Sequence, residues 1–290
     1  MDDQPFNFVM MKTIIPLDLG FSPCPNDTFI FDALINNRIS NSFKINYELL
    51  DVEALNINAK SNKLDVTKLS FAAYAFVSNH YQILSAGSAL GKNCGPLIIS
   101  KVPLMLSDLV NCKVAIPGKY TTANLLMSIF IPECKNKVEM LFSEIEDAVL
   151  NGDCDAGLII HENRFTYQKK GLLKVADLGE FWESNTGFPI PLGCIAVRRS
   201  LSEELKREIN TCIKNSIEHA FANPIDSKEF VSNNAQEMSR EVQQQHIRLY
   251  VNEFSIDLGN DGKAAINELF SKGIELGLLP TLSEPIFINE

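Results

Sequence analysis

His161 stands at the end of an apolar run, Ala156 to Ile160, and is followed by polar Glu162, Asn163 and Arg164. An imidazole delivered by a strand to its polar end has an unperturbed pKa of about 6.5, so it can take or give a proton at neutral pH. Glu162 is the adjacent carboxylate, but neighbours along a strand point to opposite faces, so a remote carbonyl or hydroxyl is as good an orienting partner. A satisfied structural histidine is the alternative at this stage. Other reactive groups are weaker. There is no G-x-S-x-G elbow, and Cys24, between Pro23 and Pro25, has no histidine beside it in the sequence. His219 and His246 fall in helical segments, His80 reads as structural, and no H-E-x-x-H or C-x-x-C spacing occurs, so no metal is expected. Trp182 reads as a cleft-mouth aromatic or a packed one.

Three stretches share a second kind of chemistry: an apolar strand breaks into a helix start rich in hydroxyl and amide side chains. In LDLGFSPCPNDTFIF, Pro23 and Pro25 stiffen the turn and Asn26 or Asp27 caps a helix expected near Thr28. In LDVTKLSFAAYAFV, Ser70 separates a strand from a helix, with Lys68 two residues before it. In KVAIPGKYTTANLL, Pro117 and Gly118 break the strand and Thr121 or Thr122 caps the helix. Unpaired N–H groups at helix starts suit a carboxylate or phosphate oxygen, whereas the plain alternative is that each side chain only caps its own helix. A phosphate loop is not supported: Gly87 to Asn93, GSALGKN, is one residue short of the P-loop pattern and ends in Asn. No G-x-G-x-x-G follows a strand, so no dinucleotide cofactor is expected either.

The elements that position these residues alternate. Strand-like runs (TIIPLDLGF, KINYELLD, KLDVTKLS, YQILSAG, GPLIIS, KVAIPG, DAGLIIH, GCIAVRR) interleave with helix-like runs as far as about residue 200, which predicts an α/β protein with largely parallel sheets. Thereafter the chain turns helical, opening with Ser200 and Glu203 at capping-box spacing. Two runs, near Cys94 and near Cys194, read as crossings between two lobes. The expected division is residues 1–98, first part of lobe 1; 99–198, lobe 2; and 199–290, a mainly helical second part of lobe 1 packing back on the first.

Composition narrows the partner. The 290 residues are 46% hydrophobic with a formal net charge of −10, which disfavours nucleic acid and anionic membranes and favours a small molecule. Seven scattered cysteines read as reduced thiols of a cytoplasmic protein. The acidic N-terminus, interrupted by Lys12, fails the signal-peptide pattern, and no run approaches a membrane span. Met10 and Met11 allow the residues before Lys12 to be an upstream start or a disordered tail.

SPCPNDTF, VTKLSFAAYA, GSALGKNCGPLII, VAIPGKYTTANLL, IIHENRFTY and DLGEFWESNTGFPIPLGCIAVRR occur here in the order seen in the 1,4-dihydroxy-6-naphthoate synthases of the futalosine route to menaquinone, and the chain resembles that family from Lys12 onward. The resemblance implies a two-lobed, periplasmic-binding-protein-like fold with a ligand cleft between lobes. It implies a cofactor-independent carbon–carbon lyase that acts on cyclic dehypoxanthinyl futalosine, a small anionic substrate, and releases 1,4-dihydroxy-6-naphthoate. It places the proton-accepting histidine on His161 and substrate contacts on Lys68, Leu69, Ser70, Thr122 and Ala123. Asn26, Asp27 and Thr28 are expected to line the cleft. A homodimer is compatible with this reading. The competing functions are a non-catalytic cytoplasmic binding protein for a small carboxylate and the chorismate dehydratase of the same pathway.

Overall fold

The computed structural model describes residues 15–236 and 239–289, so the expectations for the segment before Lys12 lie outside the described residues. In chain order the strands are β1 (Ile15–Phe21), β2 (Phe43–Leu49), β3 (Val66–Ser70), β4 (Tyr81–Ile83), β5 (Ala89–Gly91), β6 (Leu97–Ser100), β7 (Val114–Ile116), β8 (Lys137–Glu139), β9 (Ala156–Ile159), β10 (Leu173–Asp177) and β11 (Ile190–Arg198). Between these strands, among the described residues, lie seven α-helices: α1 (Pro25–Ile35), α2 (Val52–Ala59), α3 (Phe71–Val77), α4 (Thr122–Phe130), α5 (Ile145–Asn151), α6 (Asn163–Thr166) and α7 (Leu178–Thr186). After β11 come α8 (Glu203–Ala222), α9 (Lys228–Asn234), α10 (Arg240–Tyr250), α11 (Glu253–Ile256) and α12 (Gly259–Glu275).

The strands form two sheets, one ordered β2-β1-β3-β11-β4 with β5 also paired to β11, the other β10-β6-β9-β7-β8. The chain therefore leaves the first sheet after β5 and returns to it as β11. Helices α1 and α8 to α10 cover one side of the first sheet, where Phe21, Ile30, Phe31, Ile209, Ile213 and Ile217 form a buried layer. A larger apolar cluster runs from α3 through α4, α7 and α12 and joins residues of both sheets, among them Leu69, Ile98 and Val114. Trp182 belongs to this cluster, fully buried, its Nε1–H donating to the Pro189 carbonyl at 3.1 Å, so it is a packed aromatic away from the cleft.

The expectation of largely parallel sheets is corrected. Strand β1 runs parallel to β2 and β3, and β7 to β8 and β9, but β11 is antiparallel to β3, β4 and β5, and β6 to β9 and β10. In the first sheet the return strand causes this: β11 enters from the second sheet and runs against its neighbours. The cap of α8 is also moved, from Ser200 to Ser202, whose hydroxyl accepts the Leu205 N–H at 3.3 Å. None of the helices is long and apolar enough to cross a membrane, among the described residues.

Candidate active site

The starts of α1, α3 and α4 open on one cleft between the sheets, with ≈ 670 Å³ of empty space including its mouth. Lys68, Leu69, Ser70, Thr122, Ala123, Asn26, Asp27 and His161 all lie on its wall. Thr28 does not: its hydroxyl turns back to donate to the Cys24 and Pro25 carbonyls at 3.1 and 3.3 Å. Helix α1 begins three residues earlier than expected, at Pro25, which suits the first helical position because its missing N–H is needed by no bond there. Cys24 occupies the cap position without a side-chain cap bond, so neither Asn26 nor Asp27 is a cap. Only α4, of these three, is capped by a side chain, with Thr121 accepting the Asn124 N–H at 3.2 Å. Thr122 instead joins elements: it accepts the Ala72 N–H at 3.3 Å and donates to the Leu192 carbonyl at 2.7 Å, tying α3, α4 and β11 together.

A buried polar chain crosses the cleft floor. Lys68 Nζ donates to Asp27 Oδ1 at 2.8 Å, and the two residues are only 5% and 1% exposed. Such a pair is stable only if its remaining valences are met. Ser22 meets two of them, its hydroxyl at 2.7 Å and its amide at 3.2 Å from Asp27 Oδ2. Asn26 Nδ2 adds a bond at 2.8 Å, and Asn26 Oδ1 in turn lies 2.9 Å from His246 Nε2. His246, read from the sequence only as part of a helical segment, is 1% exposed and lines the cleft. A usable signal existed for this: His246 and Tyr250 are one helical turn apart on α10 and both face the cleft.

His161 follows β9 in a left-handed backbone conformation, φ +58°, which costs strain for a residue with a Cβ and is a recurrent mark of functional positions. Its Nδ1 lies 3.3 Å from Cys24 Sγ, a partner 137 residues away that the sequence did not disclose. The ring contacts Phe142, centroids 4.8 Å apart, and lies nearly parallel to the His246 ring at 6.2 Å. Burial pushes the His161 pKa down to about 4, with the Lys68 ammonium acting in the same sense and Asp27 and Asp51 opposing. The ring is thus neutral at physiological pH, and its buried Nε2 has no hydrogen-bond partner among the described residues. The Cys24 thiol is pushed well up, first by burial and then by Glu162, so it is protonated.

Cys24 Sγ, a His161 ring nitrogen and a Glu162 carboxylate oxygen lie within 4.8 Å of one another, a donor set no spacing in the sequence revealed. The Lys68 charge, whose field reaches both Cys24 and His161, works against a cation there. All seven cysteines are buried free thiols. Arg164 binds Asp177 at 2.8 Å, placing it in a structural clamp.

Residues 17–275 match the family described as menaquinone biosynthesis. The chain is 44% identical over 276 residues to the 1,4-dihydroxy-6-naphtoate synthase of Thermus thermophilus, covering 94% of this chain and 99% of that one. Among solved structures it superposes on protein AF1704 from Archaeoglobus fulgidus with a TM-score of 0.87 at 34% identity, covering 91% of this chain and 98% of that one. The alkanesulfonate-binding protein SsuA from Xanthomonas axonopodis pv. citri shares the fold at 13% identity, with a TM-score of 0.68 over 92% of this chain and 94% of that one. The fold is therefore periplasmic-binding-protein-like.

Proposed function

The chain belongs to the menaquinone biosynthesis family, and on that premise we propose that it converts cyclic dehypoxanthinyl futalosine to 1,4-dihydroxy-6-naphthoate, as a cofactor-independent carbon–carbon lyase of the cytoplasm. The observation that carries this reading is the neutral, strained His161, whose Nε2, without a partner among the described residues, sits in a cleft ringed by helix starts. Cys24 Sγ lies beside Nδ1, and in the tautomer that points Nδ1–H at sulfur the lone pair resides on Nε2, ready to accept a proton.

The chemistry asks little else. His161 takes a proton from the substrate, the carbon–carbon bond to the sugar-derived part breaks, and the released ring gains aromaticity, which drives the step. Lys68, with Leu69 and Ser70 beside it and Thr122 and Ala123 across the cleft, orients the small anionic substrate and its carboxylate. Positioning and exclusion of water supply the larger share of the rate, general-base help being about 10²–10⁴-fold. We take the cleft walls as two lobes divided near residues 98 and 198.

Incubation of the purified protein with cyclic dehypoxanthinyl futalosine, followed by chromatographic detection of the naphthoate, tests the reading. Product is expected from the wild-type protein; tight binding without product would instead identify a binding protein. His161→Asn is expected to keep substrate binding while turnover falls by about 10²-fold or more. Near-normal turnover in that variant would remove His161 as the base.

A further inference from the structure

His246 holds a second acceptor in the same cleft, and the polar chain on the cleft floor dictates which nitrogen bears it. Asp27 receives the Lys68 ammonium and the Ser22 amide and hydroxyl. The Asn26 group 2.8 Å from this carboxylate must be its NH₂, because a carboxylate has no hydrogen to offer an oxygen. That orientation turns Asn26 Oδ1 toward His246 Nε2 at 2.9 Å, and an amide oxygen only accepts. Nε2 therefore carries the hydrogen, and in a neutral imidazole the lone pair then lies on Nδ1. The ring is neutral because burial, with His161 and Lys68 adding to it, holds its pKa well below the ordinary value. Nδ1 itself is buried and has no hydrogen-bond partner among the described residues, and the side chain, 1% exposed, lines the cleft.

We propose that His246 is a substrate-recognition residue whose Nδ1 accepts a hydrogen bond from a hydroxyl of the ligand, with Asn26, Asp27 and Lys68 as positioning residues that hold this tautomer. The identity of that ligand rests on the reading under Proposed function; the tautomer does not. A carboxylate oxygen at this point would set lone pair against lone pair, so the group admitted is an O–H donor, which the sugar-derived part of the proposed substrate supplies. A buried acceptor left unmatched penalises a ligand lacking the donor, and His246 thereby selects for hydroxylation as well as orienting the ligand.

The test has two parts. In ¹⁵N NMR of the ligand-free protein, His246 should show a protonated Nε2 and a bare Nδ1 at neutral pH, and the Nδ1 resonance should move when substrate is added in excess to the slowed His161→Asn variant. A protonated Nδ1, or a resonance unmoved by bound substrate, overturns the proposal. Kinetics then compare His246→Gln, which keeps an N–H toward Asn26 but loses the acceptor at the Nδ1 position, with His246→Asn, which keeps an acceptor there. KM should rise about 10- to 100-fold in His246→Gln with kcat little changed, and His246→Asn should recover most of it. Unchanged KM in His246→Gln, or equal losses in both variants, would overturn the proposal. Absence of turnover by the wild-type protein would count against the lyase reading alone; substrate dissociation constants from calorimetry on the same variants then replace KM.

Discussion

Lowering the pH from 7.5 to 4 should destabilise this protein through His161 in a window fixed by its burial. Above 6.5 the ring is neutral folded and unfolded, and it contributes nothing to the pH dependence. Between 6.5 and about 4 the unfolded chain binds a proton that the native site refuses, so the unfolded state gains and stability falls as pH falls. Below about 4 both states are protonated and the loss is complete. At about 1.4 kcal/mol for each pH unit, the whole window from 6.5 to below about 4 amounts to about 3.5 kcal/mol, of which about 3 kcal/mol is lost by pH 4. The groups facing the ring are Cys24 at 3.3 Å, a Glu162 carboxylate oxygen within 4.8 Å, the His246 ring at 6.2 Å, and the charges of Asp27, Lys68 and Asp51. His246, also held neutral by burial, loses stability in the same direction.

Urea unfolding of the wild-type protein and of His161→Asn at half-unit pH steps isolates the effect, because asparagine does not titrate and the carboxylates cancel in the difference. The stability of wild type relative to the variant should drop by about 3 kcal/mol between pH 7 and 4. The same low pKa predicts a flat kcat/KM from pH 8 to 5, with the acid limb below that. A wild-type-minus-variant difference that stays level across the range, or an acid limb centred on 6.5, would refute the placement of His161 as a buried neutral base.

Two further perturbations probe the cleft wall. Lys68→Met strands the Asp27 carboxylate, 1% exposed, and should cost about 3–5 kcal/mol in denaturant unfolding, with the double variant Lys68→Met/Asp27→Asn recovering most of it. Thr121→Ala removes the one side-chain cap among the three helix starts and should cost about 1 kcal/mol in the same assay; a loss below a few tenths would mean that the helix start is held by Thr122 and its neighbours instead.

What was legible in the sequence were features carried by neighbours along the chain. The apolar runs mark β1, β2, β3, β4, β6, β7, β9 and β11, whereas β5, β8 and β10 are short or mixed with lysines, glutamate and aspartate and carry no such signal. The direction of β11 was invisible because it depends on where the chain re-enters the first sheet, a long-range choice that no periodicity records. Likewise the strand end carrying His161 and the proline- and threonine-marked helix starts could be read locally. The bonds from Cys24 to His161, across 137 residues, and from Asn26 to His246, across 220, could not.

That difference explains why SPCPNDTF looks like a simple helix cap and is not one. A cap would satisfy α1 locally, but Ser22, Asn26 and Asp27 spend their polar atoms on Lys68, on one another and on His246, while Thr28 bonds the carbonyls of Cys24 and Pro25. Pro25 makes this affordable, since it begins the helix with a residue that has no N–H to satisfy. The thiol in the cap position is then free to meet His161. Cys24, Asn26 and Asp27 are therefore each constrained by a different distant partner, and substitution at any one of these three should register at the cleft before it registers in α1.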